Sequence, residues 1–126
     1  MKRPVHFEIT AEDPERASKF YKKIFGWDIK GWEGGKEKYW IVDTGKENPG
    51  INGGIMKRSG FMTQGTINTI EVPNLDEALK NIMKNGGSVA MDKHNIPGVG
   101  MHAYCKDTEG NLFGILQPDP NMQMQK

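Results

Sequence analysis

Two side chains near the start of the chain, His6 and Glu8, have the types and spacing that proton transfer requires. They are separated by one residue in a segment where apolar Val5, Phe7 and Ile9 alternate with them. Successive side chains of a strand point to opposite faces, so the alternation predicts a β-strand with His6 and Glu8 on one face. Such a pair could transfer protons near neutral pH. Alternatively, Glu8 could pair with a cationic side chain and His6 could be structural.

A helix is predicted directly after this strand. Asp13 can cap its first turn, Pro14 fixes a helical φ at the start, and Gly26 is suited to a left-handed ending. Apolar residues recur between these signals at helical spacing, as one buried face requires. They are Ala17, Phe20, Tyr21 and Ile24.

The second half of the chain repeats this pattern. When Asp13 is aligned with Asn74, Gly26 falls on Gly87, and a second apolar helical stripe begins at Leu75. Three β-like segments follow each helix, near residues 27–30, 39–43 and 53–57, and near residues 88–91, 101–106 and 112–117. Turn signals such as Gly34-Gly35 separate them. The repeat predicts two βαβββ modules.

We therefore predict an α+β fold in one domain over residues 1–117. The modules span about residues 4–57 and 66–117, residues 58–65 form the linker, and residues 118–126 form a flexible tail.

Composition excludes several classes of protein. The 126 residues carry a net charge of +1, which offers no field for a nucleic acid. No apolar stretch is long enough to cross a membrane, and the basic N-terminus has no signal-peptide core. The lone cysteine, Cys105, cannot form an internal disulfide, so we predict a cytoplasmic protein.

Two sequence signatures resemble a known family. His6 precedes the capping Asp13 by seven residues, Phe25-Gly26-Trp27 follows the helix stripe, and Asp-Thr-Glu-Gly-Asn-Leu-Phe-Gly occupies residues 107–114. Over about residues 4–117 the chain resembles the vicinal oxygen chelate superfamily of glyoxalase I, bleomycin-resistance proteins and extradiol dioxygenases. Its glyoxalase-like, lactoylglutathione-lyase-related subgroup is the most similar. The resemblance implies a curved, mixed sheet around a cleft, with helices on the outer face, and a homodimer.

The strand pattern assigns further side chains to this cleft. In 101–106, the small Ala103 and Cys105 suit helix packing, which leaves His102 and Tyr104 on the cleft face. Aligning Asp-Thr at 43–44 with Asp-Thr at 107–108 pairs Trp40 with Tyr104, so we predict both as aromatic walls. Core packing is the alternative for large aromatic residues. Met56 could provide an adaptable lining or fill the core.

Metal-using members of the superfamily hold a divalent ion with four side chains. In this sequence His6 occupies one of those positions, and Ile67, Gly54 and Gly114 occupy the others. Because one imidazole does not hold such an ion firmly, we predict no metal and no other cofactor. The two glycines could open the cleft floor to a ligand, or relieve crowding in curved strands.

We therefore predict a metal-independent protein that binds a small organic molecule, as bleomycin-resistance members do, with no nucleic-acid or membrane partner. The alternative is a metal-free enzyme, isomerase- or lyase-like, with His6 and Glu8 as acid and base. A metal-dependent lactoylglutathione lyase or dioxygenase is least favoured. The predicted cleft residues are His6, Glu8, Trp40, Gly54, Met56, Ile67, His102, Tyr104 and Gly114.

Overall fold

The order of elements along the chain is that of two successive βαβββ modules. A computed structural model describes residues 2–32 and 38–120. The first module comprises β1 (Pro4–Ala11), α1 (Pro14–Phe25), β2 (Asp28–Trp32), β3 (Tyr39–Asp43) and β4 (Asn52–Lys57). The second comprises β5 (Thr66–Glu71), α2 (Leu75–Lys84), β6 (Ser88–Ile96), β7 (Gly100–Lys106) and β8 (Leu112–Pro118). The predicted α+β class and tandem modules are confirmed.

The chain packs as two compact units. Of the described residues, those within His6–Ile67 form the N-terminal unit, and residues 68–120 together with residues 2–5 form the C-terminal unit. The predicted turn at Gly34-Gly35 and residues 121–126 of the predicted tail lie outside the described residues. Within the part of the chain that is described, no helix is long and apolar enough to cross a membrane.

In the N-terminal unit, four strands lie in the order β2-β3-β4-β1. Strands β1 and β4 are parallel, and the other neighbours are antiparallel. One face of this sheet carries the buried cluster of Ile29, Val42 and Ile55. Phe7 and Ile9 pack against that cluster, as the alternation in β1 predicts, so His6 and Glu8 point to the other face.

Helix α1 begins and ends at the predicted residues. The Asp13 carboxylate accepts a hydrogen bond from the Arg16 N–H at 3.1 Å, and Pro14 occupies the first turn. Gly26 adopts a left-handed φ of 72°, and its N–H donates to the Lys22 carbonyl. These caps satisfy backbone groups that the helix itself leaves unpaired.

In the C-terminal unit, the strand order is β5-β8-β7-β6, with β5 and β8 parallel. Ala103 and Cys105 of β7 lie in one buried cluster with Leu75 and Leu79 of α2. The predicted helix-facing side of β7 is therefore confirmed. Burial raises the pKa of the Cys105 thiol, which keeps it protonated.

Strand β6 is longer than the sequence predicts. It continues to Ile96, although its pairing register with β7 shifts between Val89 and Met91 and again between Met91 and His94. Such irregularities insert residues that break the simple alternation of a strand. For that reason only the segment near 88–91 is recognisable from the sequence.

Candidate functional site

A hydrogen-bonded chain of three side chains lies on the face of the N-terminal sheet opposite helix α1. The Tyr39 hydroxyl donates to Glu8 Oε2 at 3.0 Å, and it lies 3.0 Å from His6 Nε2. Glu8 is buried and His6 is half-buried. The predicted pair is therefore joined through a tyrosine from another strand, rather than by direct contact.

Gly54 makes this arrangement possible. It lies on β4, between β1 and β3, and pairs with Glu8 on one side and Ile41 on the other. A Cβ built on Gly54 would collide with the hydroxyl and ring of Tyr39. The ring of Tyr39 thus crosses β4 over the one residue type that leaves room for it. The space beside Gly54 is therefore filled by Tyr39 and is not open to a ligand, so of the two roles considered for this glycine, relief of crowding fits better.

The direction of the hydrogen bonds defines which ring nitrogen of His6 carries the proton. An ionised carboxylate only accepts, so the single hydroxyl proton of Tyr39 goes to Glu8. Tyr39 must then accept from His6, which places the imidazole proton on Nε2. Burial lowers the pKa of His6 from its ordinary 6.5, and the charge of Glu8 acts in the opposite direction with a smaller effect. At neutral pH the imidazole is therefore uncharged, with a bare Nδ1.

Apolar side chains lie beside the hydrogen-bonded His6, Tyr39 and Glu8 on the same face. Trp32 pairs with Tyr39 across the β2–β3 ladder, and their rings meet edge to face at 6.2 Å. Ile41 shares the face, and the side chains of Ile41 and Trp32 are 46% and 43% exposed. Met56 pairs with Tyr39 across the β3–β4 ladder and is half-buried. The face thus offers an aromatic and aliphatic surface beside three polar groups.

The predicted wall residue Trp40 lies on the opposite face. It pairs with Ile55 and packs against the buried cluster under α1. The sequence alignment of the two Asp-Thr pairs was one residue out of register, and a shift of one residue exchanges the two faces of a strand. Tyr39 is the aromatic residue that the prediction missed. Alignment of the two modules on their strand glycines would have identified Tyr39. Gly54 pairs with Ile41 as Gly114 pairs with Tyr104, so Tyr39, two residues before Ile41, then shares the face of the predicted site.

The C-terminal unit contains a related arrangement around Gly114. A Cβ built on Gly114 would lie 2.8 Å from His102 Nε2 and 2.8 Å from Thr69 Oγ1. The rings of His102 and Tyr104 meet edge to face at 4.5 Å. Both side chains lie away from the α2 face, as predicted. Thr69 is 2% exposed, and its hydroxyl has no hydrogen-bond partner in the described ranges 2–32 and 38–120.

The predicted cleft residues therefore fall into separate groups. His6, Glu8, Gly54 and Met56 share one face of the N-terminal unit. The C-terminal unit brings together His102, Tyr104 and Gly114. Ile67 is fully buried in β5.

The donor atoms of the N-terminal site do not suit a divalent cation. Among residues 2–32 and 38–120, no three His, Cys, Asp or Glu side chains are grouped so that they could hold one. His6 and Glu8 are each hydrogen-bonded to Tyr39, whose hydroxyl lies where a side chain at Gly54 would begin. A stable site needs about three or four protein ligands. We therefore derive no chemistry through a metal here.

A separate surface hollow of about 560 Å³ lies where β3 leads into β4. It is lined by residues 43–50 together with Gly26 and Asp28. None of the hydrogen-bonded triad lines it, so the hollow and the triad are distinct features of the N-terminal unit.

Tandem βαβββ modules define a class of fold rather than one activity. The sequence profile of the Glyoxalase/Bleomycin resistance protein/Dioxygenase superfamily matches residues 3–115. The chain therefore belongs to that superfamily.

Individual relatives agree with this membership. A glyoxylase-like domain-containing protein of Didymella fabae is 31% identical over 112 residues, which cover 86% of this chain and 88% of the relative. The crystal structure of methylmalonyl-CoA epimerase from Mycobacterium tuberculosis matches with a TM-score of 0.70 at 12% identity, covering 97% of this chain and 91% of that one. A hypothetical protein from Bacillus halodurans C-125 gives a TM-score of 0.70 at 12% identity, with 94% and 95% covered. At such identity the structural matches define the fold alone.

Proposed function

We propose that the protein binds a small organic molecule beside the His6–Tyr39–Glu8 chain, through shape and hydrogen bonds and without a metal ion. The observation that carries this proposal is the Tyr39 hydroxyl over Gly54, which joins His6 to Glu8 where metal-using relatives place a metal ligand. The exposed surfaces of Trp32 and Ile41 supply apolar contact area next to these polar groups. Superfamily relatives include an epimerase whose structure contains methylmalonyl-CoA.

A thermal-shift screen with Tyr39→Phe as the site variant tests this function. Ligands that bind the folded state raise the Tm in a concentration-dependent manner. We expect hits among small organic molecules in the presence of EDTA, and we expect Tyr39→Phe to weaken them. Tyr21→Phe is the matched control, because Tyr21 packs on the α1 side of the sheet. Equal weakening by both variants, or hits that require added metal, would contradict the proposal.

A second candidate is a metal-free enzyme, isomerase- or lyase-like, in which His6 acts as the base. The bare Nδ1 could accept a proton from a bound substrate, because Nε2 already carries the other proton toward Tyr39. The positive charge that forms on the imidazole would be stabilised through Tyr39 by the Glu8 carboxylate. Glu8 is thus an orienting and charge-stabilising group rather than the acid.

The pH dependence of turnover tests this second candidate. If His6 is the base, kcat/KM falls as the pH drops through the lowered pKa of its imidazole. Glu8→Gln removes the carboxylate that stabilises the imidazolium, so it should move that limb to lower pH as well as reduce the rate. A limb that stays in place in Glu8→Gln would exclude this role for Glu8.

We also propose that the chain acts as a homodimer, as the family resemblance implies, and that it does so in the cytoplasm, as its lone cysteine favours. Phe20 and Ile24, which the sequence pattern predicts on the buried face of α1, are instead 57% and 55% exposed, and Phe25 is 59% exposed. A second copy would cover this surface. Sedimentation velocity should then give the mass of a dimer, and Phe25→Ser should shift the equilibrium toward monomer. A monomer at all concentrations would rule this assembly out.

A further inference from the structure

We propose that the N-terminal site selects neutral, apolar molecules that present an N–H or O–H donor, and that it discriminates against carboxylates. This inference rests on the proposed binding function and specifies its ligand class. It follows from the polarity of the hydrogen-bonded chain, from the surface beside it, and from the charge of Glu8.

The hydrogen bonds among His6, Tyr39 and Glu8 leave no proton for donation to a ligand. The Tyr39 hydroxyl gives its proton to Glu8 Oε2, and the His6 Nε2 proton goes to Tyr39. Glu8, as a carboxylate, has none. A ligand that approaches the three groups therefore meets lone pairs and not donors.

The other ring nitrogen of His6, Nδ1, faces away from Tyr39. Nδ1 makes no hydrogen bond in the part of the chain that the structure describes, and it is not among the fully enclosed polar atoms. In the tautomer that the chain imposes, Nδ1 carries a lone pair in the ring plane. It is the acceptor of the His6 ring that remains for a ligand N–H or O–H.

Apolar side chains lie on the same side of the sheet as this acceptor. Trp32, Ile41 and Met56 lie on the same face and favour an apolar ligand body. Among residues 2–32 and 38–120, Lys30 lies 3.9 Å from Asp28, and Arg58 lies 3.7 Å from Glu12, so each of these cations has an acidic neighbour. A carboxylate ligand would add a second negative charge beside Glu8 and would offer only acceptors.

The tautomer of His6 is tested on the ligand-free wild-type protein by ¹⁵N-histidine NMR. We expect a protonated Nε2 and a bare Nδ1 for His6 at neutral pH, and a mixture of tautomers in Tyr39→Phe. The reverse tautomer in the wild-type protein would overturn the donor selectivity and leave the proposed binding function standing.

The ligand class is tested with three probes of one ring size: benzyl alcohol, its isomer anisole, and benzoate. Titrations are followed at the His6 nitrogen signals of the wild-type protein and by the Tm of His6→Phe. We expect benzyl alcohol to bind roughly tenfold more tightly than anisole, and benzoate to bind most weakly. In His6→Phe, whose side chain offers no acceptor, the difference between the two isomers should disappear.

The outcomes separate the two proposals. If anisole or benzoate binds as tightly as benzyl alcohol, the site is not selective for donors, although it binds small molecules. If none of the three probes moves the His6 signals at millimolar concentration, the proposed function fails and this inference fails with it.

Discussion

The missing side chain of Gly54 determines the chemistry of the N-terminal site more than any side chain that is present. It lets the Tyr39 ring cross β4 and place its hydroxyl between His6 and Glu8. The result is a polar group held by two hydrogen bonds in a largely buried setting. Loss of either hydrogen bond costs stability, because the remaining donor or acceptor stays buried without a partner.

Gly54→Ala should therefore destabilise the protein strongly. The added methyl group would displace the Tyr39 ring and break both of its hydrogen bonds, so we expect a loss of about 1–3 kcal/mol in the free energy of unfolding, measured with urea. Gly31→Ala in β2 is the matched control, because a Cβ there meets nothing within 4 Å. Equal effects of the two substitutions would show that the Tyr39 contact does not matter.

Two buried threonines give opposite expectations for the same change. Thr69 and Thr10 are both 2% exposed, but the Thr10 hydroxyl donates to the Gln64 carbonyl at 2.6 Å, whereas that of Thr69 has no hydrogen-bond partner in residues 2–32 and 38–120. Replacing an unsatisfied hydroxyl by a methyl group removes a desolvation cost. We expect Thr69→Val to raise the free energy of unfolding by about 1 kcal/mol and Thr10→Val to lower it by about 1 kcal/mol. Chemical denaturation measures both, and a loss of stability in Thr69→Val would contradict the assignment.

His6 should make stability depend on pH in the mildly acidic range. Burial lowers its pKa in the folded state, so the unfolded chain binds the proton more readily. The His6 contribution to stability is then full above the ordinary pKa of 6.5 and is lost as the pH falls from there toward the folded-state pKa. The difference in Tm between the wild-type protein and His6→Gln, measured from pH 8 to pH 5, should shrink or change sign on acidification. A constant difference would mean that the pKa of His6 is the same in both states.

The helices and most strands follow from local signals, whereas the pairing of strands does not. Asp13, Pro14 and Gly26 define α1 because capping depends on neighbours within one turn, and the alternation in β1 places His6 beside Glu8. Tyr39 could not be placed in the same way. Its contact depends on the β3–β4 register and on a glycine between two strands, which are properties of several segments together. For the same reason the Trp40 face and the length of β6 were mispredicted.

The start of α2 depends on a residue far away in sequence. Asn74 accepts from the Glu77 N–H at 3.0 Å, and Gln117 of β8 accepts from the Leu75 N–H at 2.8 Å. Gln117→Ala leaves a partly buried N–H without its acceptor, so we expect a loss of about 1 kcal/mol in urea denaturation. Asn74→Ala should cost a similar amount, and the two losses should be nearly additive if each cap serves its own N–H. No loss in Gln117→Ala would show that water replaces this cap.

The two modules use the same device around equivalent glycines. In each, a glycine in the last strand allows a side chain from the preceding strand to approach: Tyr39 over Gly54, and His102 beside Gly114. In both modules a strand glycine thus leaves room for a side chain of the neighbouring strand. Neither glycine offers a donor atom, so we expect no metal ion at these two positions.

Removal of divalent cations should leave the protein unchanged. We expect dialysis against EDTA to leave the Tm and any ligand-induced Tm shift as they were, because the described donor groups do not form a cation site. Addition of Ni²⁺, Zn²⁺ or Fe²⁺ should likewise have no stabilising effect. A metal-dependent rise in Tm, which binding to the folded state would produce, is the contrary result.

The irregular pairing of β6 has a consequence for behaviour at high concentration. In the described chain β6 neighbours β7 alone, so its outer backbone groups are open to another polypeptide. The register shifts near Met91, together with charged Asp92 and Lys93, keep that border from being long, flat and apolar. The strand is thereby a poor template for intermolecular β-pairing, and a variant that straightened it would be expected to form fibrils more readily.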